Sequence, residues 1–283
     1  KYRFANTAFD IIIASDDNAF NFLKTHKNDL FNELLPIIFC GVNYFTDADI
    51  ANRSDITGVV EEYDIRGTIG IIENIHNNIQ EIVVISDKTA TGIANTKKVR
   101  EVFSNHFPGR KYTVLDDLSM AELLEKVGNL PAGAVVLYLG FARDKTGQSL
   151  APLEESLAVI SNKSKAPLYS VWEFTLQSVV GGMITSGFYQ GEMAAQMARR
   201  ILAGERAADI PVLKQSPNVP MFNYQQMARF GIARSQLPVE SLLIHAPETS
   251  YPIERRVIII ITSVVLSLIL AVVVLFINIR KRR

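Results

Sequence analysis

Residues 81–107 read EIVVISDKTATGIANTKKVREVFSNHF, and this stretch decides the fold. Residues 81–86 (EIVVIS) are an apolar, β-branched run without polar alternation, which predicts a strand buried on both faces. Residues 87–92 are short and polar, and residues 93–107 predict a helix. The alternation continues downstream. Residues 111–115, 134–139, 167–171 and 182–185 predict strands; residues 120–127, 153–161 and 190–203 predict helices, the last ending at Gly204. Upstream, residues 9–14 (FDIIIA) and 36–42 predict strands, and the short run 56–60 (ITGVV) predicts a strand or a crossover. Residues 18–31 predict an amphipathic helix with Phe22, Leu23, Leu30 and Phe31 as its apolar positions, and residues 65–76 a further helix. Residues 213–244 have a Pro-rich entry, a helix near 224–230 and an otherwise irregular run. Continuous apolar strands between helices mark an α/β fold with parallel sheets covered on both faces.

The chain has 283 residues, 48% hydrophobic and 20% charged, the composition of a folded protein with a sizeable core. Lys+Arg and Asp+Glu both number 29, so no net positive charge favours nucleic acid as a partner. Cys40 is the single cysteine and lies in the apolar run PIIFCG, so it is expected to be a buried residue; no internal disulfide is possible. The chain starts at Lys1 without Met or a signal peptide, and is expected to be a fragment or a processed product.

Residues 257–277 (VIIIITSVVLSLILAVVVLFI) carry no charge, and at about 1.5 Å per residue they match a bilayer's hydrocarbon thickness. One transmembrane helix is expected over 257–279. Arg280 to Arg283 (RKRR) follow it, against Arg255 and Arg256 on the other side, so the C-terminus is expected in the cytoplasm and residues 1–256 outside it. Such a single-pass chain would sit in a bacterial inner membrane. A lone helix signals by moving against a partner, so a homodimer is expected.

In parallel α/β sheets ligands bind at the carboxyl ends of strands. Five post-strand loops qualify: residues 15–18 (SDDN), 41–43 (GVN), 87–92 (DKTATG), 140–144 (GFARD) and 172–174 (WEF). Each has a plainer reading. Asp16, Asp17 and Asn18 suit a helix cap, and paired aspartates can also hold Mg²⁺ with further acids nearby; the next loop offers Asn43 instead. Arg143 with Asp144 suits a solvated surface pair, and Trp172 suits core packing. The loop at 87–92 lacks a Walker pattern. None of His26, His76, His106 and His245 falls in a post-strand loop, and no nucleophile elbow or zinc motif occurs, so no enzyme, metal or cofactor is expected in this part.

The stretch at 9–45, FDIIIASDDNAFNFLKTHKNDLFNELLPIIFCGVNYF, resembles the first lobe of ABC-transporter substrate-binding-like proteins of the type I periplasmic binding protein fold. It is particularly similar to versions fused to sensor kinases and diguanylate cyclases. ITGVVEEYDIRGTIGII (56–72) resembles the crossover and first helix of the second lobe, and SDKTATGIANTKKV (86–99) that lobe's first strand-loop-helix. Residues 169–205 resemble the return to the first lobe; SPNVPMFNYQQMARFGI (216–232) and 235–251 resemble the closing segment. The resemblance covers nearly all of 9–251. It departs from the family at the start, where only residues 1–8 precede the first strand and the first lobe is expected to be incomplete.

The resemblance implies two hinged lobes: 1–63 as part of the first, 64–183 as the second, and 184–250 as the return and membrane-proximal segment. It implies a cleft that closes on a small polar metabolite such as an amino acid or amine. Asp16, Asp17, Asn18 and Asn43 would come from one lobe, and Thr89, Thr91, Arg143, Trp172 and Glu173 from the other. The expected function is ligand sensing by a membrane receptor whose cytoplasmic output is a histidine kinase or diguanylate cyclase. The alternatives are a membrane-tethered binding protein of an ABC transporter and a membrane-tethered α/β enzyme.

Overall fold

The computed structural model describes residues 7–31, 35–43, 45–150 and 152–247, and beyond them 259, 262–269, 277 and 280. Residues 1–246 form one compact unit and 247–283 another.

Within the first unit the strands form two sheets. The smaller holds β1 (Ile12–Ser15), β2 (Ile37–Val42) and β3 (Ile56–Val60), in that order and all parallel. Helix α1 (Asp16–Leu30) connects β1 to β2, and a short 3-10 turn at Asp47–Ile50 precedes β3. Ile37, Ile38 and Phe39 of β2 are fully buried because both sheet faces are covered. Phe20 and Leu23 of α1 pack on one face. On the other lie Ala194, Met197 and Ala198 of α6 (Gly187–Leu202). Phe22, expected to face inward, is exposed; the buried stripe of α1 is Phe20, Leu23 and Lys27. Lys27, 1% exposed, occupies a core position because its ammonium meets Asp55, which Arg53 also grips at 2.8 Å through two nitrogens. Burial alone would raise the Asp55 carboxyl, but Arg53 and Lys27 hold it down at about 2.

The larger sheet runs β10-β9-β8-β7-β6-β4-β5. Its members are β4 (Glu81–Ile85), β5 (Tyr112–Leu115), β6 (Ala134–Tyr138), β7 (Leu168–Tyr169), β8 (Gly181–Ile184), β9 (Val219–Asn223) and β10 (Leu242–Ile244). All neighbours pair parallel except β8 with β9. One face packs against α2 (Ile65–Ile75), α3 (Ala90–His106) and α7 (Tyr224–Arg229) through Ile69, Ile72, Val99, Phe103 and Met227. The other packs against α4 (Met120–Gly128) and α5 (Leu153–Lys163) through Leu123, Val127, Leu157 and Ile160.

The expected strands and helices are present with shifts at their ends, and β9 and β10 are additional. Residues 187–213 return to the first sheet, where Val59 bridges Leu213. Residues 219–244 do not stay there; β9 and β10 extend the second sheet. The chain thus crosses between lobes three times, at residues 60–65, 184–187 and 213–219. The membrane helix expected over 257–279 falls largely outside the described residues. Of these, residues 262–269 are helical, and among the described residues no helix is long and apolar enough to cross a membrane.

Two glycines test the packing in opposite directions. Gly182 of β8 has φ +158°, and a Cβ there would lie 2.1 Å from the Ser170 carbonyl oxygen. Gly182→Ala is expected to cost about 2–4 kcal/mol in denaturant unfolding, from backbone strain plus overpacking. Gly70, mid-helix in α2 with nothing within 4 Å of a Cβ, should gain roughly 0.5–1 kcal/mol as Gly70→Ala.

Candidate ligand site between the lobes

The carboxyl end of β3 leads straight into the first crossover, so Glu61 is held where the first sheet meets the second lobe. Its N–H donates to the Val42 carbonyl at 2.8 Å. Asn43, just past β2, donates through Nδ2 to Glu61 Oε2 at 3.1 Å and to Asp17 Oδ2 at 3.4 Å. The Asn43 N–H reaches Asp17 Oδ1 at 3.1 Å. Asp17, Asn43 and Glu61 are therefore one hydrogen-bonded set across three strand ends. Asp16 precedes them with φ +77°, a left-handed conformation unusual for a residue with a Cβ, and its Oδ1 accepts the Asp17 N–H. Ser15 is the N-cap residue but its side chain makes no capping bond. Burial first, then the negative charges of Asp16 and Asp17, push the Glu61 carboxyl above its ordinary value; the Asn43 bond only partly offsets them.

The second lobe presents Trp172, Glu173 and Phe174 after β7. Trp172 bridges Thr185 in the second crossover, and the Glu173 N–H donates to the Thr185 carbonyl at 3.3 Å. The Trp172 ring packs on Tyr63 of the first crossover with centroids 5.3 Å apart, and on Phe174 at 6.1 Å. Trp172 is thus half-buried: one part rests on the core and another lines a cavity. That cavity, about 580 Å³, is bounded by Glu61, Trp172, Glu173, Phe174, Thr185 and Gly187. The residues come from two crossovers and the loop after β7.

The remaining expected residues do not line this cavity. Thr89 caps α3, its hydroxyl accepting the Gly92 N–H at 3.1 Å. Its own N–H and hydroxyl donate to Asp87 Oδ1. Asp87 Oδ2 in turn accepts the Ala142 and Arg143 N–H groups at 2.7 and 3.3 Å. A doubly wound sheet leaves a crevice where its strand order reverses, here between β4 and β6. The Asp87 carboxylate stitches those two loops together. Thr91 and Arg143 are exposed on the same sheet edge. Asp144, read as half of a surface pair with Arg143, is buried instead, accepting bonds from Thr146, Gln148 and Met120. Asn18 is exposed on α1. Glu61 was not singled out from the sequence, although it directly follows an apolar strand as the other candidates do.

The three crossovers are tied crosswise. Asn218 in the third crossover accepts from the Thr185 hydroxyl at 2.8 Å and donates to the Glu62 carbonyl at 2.7 Å, linking all three crossovers. Gln190 on α6 accepts the Gly41 N–H at 3.2 Å, and donates to the Val60 carbonyl at 3.1 Å and the Ser216 hydroxyl at 2.7 Å.

Because Glu61 binds its proton more readily folded than unfolded, the folded protein gains stability as pH falls through that raised value. Glu61→Gln keeps the carbonyl that accepts from Asn43 and removes the repulsion. Its melting temperature should exceed that of the parent at pH 8, with the difference shrinking toward pH 4. A constant or growing difference on acidification would remove the repulsion from the account.

Comparisons with known proteins agree with this fold. The model of the family described as ABC transporter substrate binding protein matches residues 2–249. A search of curated proteins finds no match. Among solved structures, a ligand-free, open substrate-binding protein with adhesive properties from Clostridium difficile superposes with a TM-score of 0.65 at 15% identity, covering 87% of this chain and 81% of its own. A conserved domain protein from Vibrio cholerae gives 0.53 at 17%, covering 85% and 80%. An ABC domain in complex with L-Trp from Streptococcus pneumonia gives 0.54 at 16%, covering 86% and 83%. At these identities the likeness shows the fold. With a family match over residues 2–249 and two sheets joined by three crossovers, the chain belongs to the ABC transporter substrate-binding protein family.

Proposed function

We propose that this chain is the extracytoplasmic ligand-sensing part of a bacterial membrane receptor, binding a small polar metabolite between its lobes. The observation that carries the reading is the cavity itself. Its walls come from Glu61, from Trp172 to Phe174, and from Thr185 and Gly187, so a ligand there would touch both lobes and two crossovers at once. A molecule that binds one hinge setting better than another shifts the population by its difference in affinity. Family membership and a neighbour bound to L-Trp support a small organic ligand. The apolar run at 257–277 and the basic RKRR after it favour a membrane anchor with a cytoplasmic C-terminus.

The family match also favours a second reading, in which the chain delivers its ligand to a transporter. The two differ in the host cell. Deletion of the gene should leave uptake of the ligand intact and abolish a response to it if the chain senses; loss of uptake would favour transport.

Two tests address the binding and the topology. The full chain should be stabilised by at least one member of a panel of amino acids, amines and small polar metabolites, by about 2.7 kcal/mol at 100 times its Kd. Trp172→Ala should weaken that binding by roughly 1–3 kcal/mol. A chain that unfolds on this substitution, or binds unchanged, would take the ring out of the site. A reporter fused after Arg283 should be active only if it functions in the cytosol; activity of a periplasm-only reporter would reverse the orientation.

A further inference from the structure

We infer that the cavity between the lobes selects a positively charged amine whose apolar body lies against Trp172. This rests on the reading of that cavity as the ligand site. Its lining holds two carboxylates, Glu61 and Glu173, and two aromatic rings, Trp172 and Phe174, but no Lys or Arg. Ring faces attract cations, and more strongly where water is excluded.

The charges around the cavity are also uncompensated. Among the described residues Asp16, Asp17, Glu61 and Glu173 form no ion pair, and Lys24 and Lys98 pair with Asp49 and Glu62 instead. Three of the four unpaired acids converge, since Asp17 and Glu61 share Asn43 and Asp16 adjoins Asp17.

An organic cation fits better than a metal ion. Among the described residues no three His, Cys, Asp or Glu are grouped to hold one, and Asp17 faces the amide of Asn43. The volume, about 580 Å³, lies in the range of small-metabolite pockets. A ligand carboxylate would add an anion beside carboxylates already in mutual repulsion, with no lining cation to receive it. The repulsion at Glu61 is a cost in the free protein that a bound ammonium relieves.

The experiment is calorimetric titration of the full chain in lipid nanodiscs with two matched compounds, phenethylamine and 3-phenylpropionate. Phenethylamine should bind at least tenfold more tightly. Glu61→Gln and Glu173→Gln should each weaken it at least fivefold, while Glu155→Gln on the outer face of α5 should not. Higher thermal stability of Glu61→Gln without ligand would show that its loss of binding is not unfolding. Equal or tighter binding of 3-phenylpropionate, or amine binding indifferent to both Gln substitutions, overturns the inference. If neither compound binds but a panel member without net positive charge does so through Trp172, the amine assignment fails and the cleft reading stands. If no panel member stabilises the chain, the cleft reading fails and the amine falls with it.

Discussion

Everything in the first unit depends on three crossings of the chain between two sheets being held together by side chains. Asn218 spans the Thr185 hydroxyl and the Glu62 carbonyl, and Gln190 spans β2, β3 and the third crossover. Asn218 and Gln190 each use both their acceptor and their donor group, a pattern that neither a hydroxyl nor a carboxylate can reproduce at this reach. These bonds set where Glu61 sits relative to Trp172, because each lies beside a tied residue. Gln190 is 3% exposed, so its bonds are shielded from competing water.

The candidate site holds two features that a fold optimised only for stability would avoid: Asp16 is left-handed, and Glu61 is pushed toward protonation. By contrast, the second sheet's own crevice at β4 and β6 is satisfied internally by Asp87, which is 3% exposed and accepts bonds from both loops.

The α/β architecture was legible because β4 and β6 are uninterrupted apolar runs bounded by turns. Two strands were not. β9 contains Pro220, which suggests a turn and cannot donate to a ladder, yet it pairs antiparallel with β8. β10 has only three residues, too few for a periodic signal. On α1 the inward face was misread because Lys27 occupies a core position, where its ammonium meets Asp55, twenty-eight residues away. The candidate site was half legible as a place in the fold: Asp17, Asn43, Trp172 and Glu173 follow strands and reach the junction. Thr89 follows a strand too, but its hydroxyl is occupied as a cap, a role that a post-strand position does not distinguish from ligand binding. Glu61 lay in a segment read as a crossover rather than a loop, and only the hinge geometry makes it a wall of the cavity.

The central claim is that occupancy of the cavity and the setting of the hinge are one equilibrium. Spin labels at Thr25 on α1 and Glu155 on α5, introduced as cysteines in a Cys40→Ser background, would report the distance between lobes by double electron–electron resonance. With stabilising members of the metabolite panel, the distance distribution should move saturably, at the concentrations that stabilise the fold. Full stabilisation with an unchanged distribution would contradict the account.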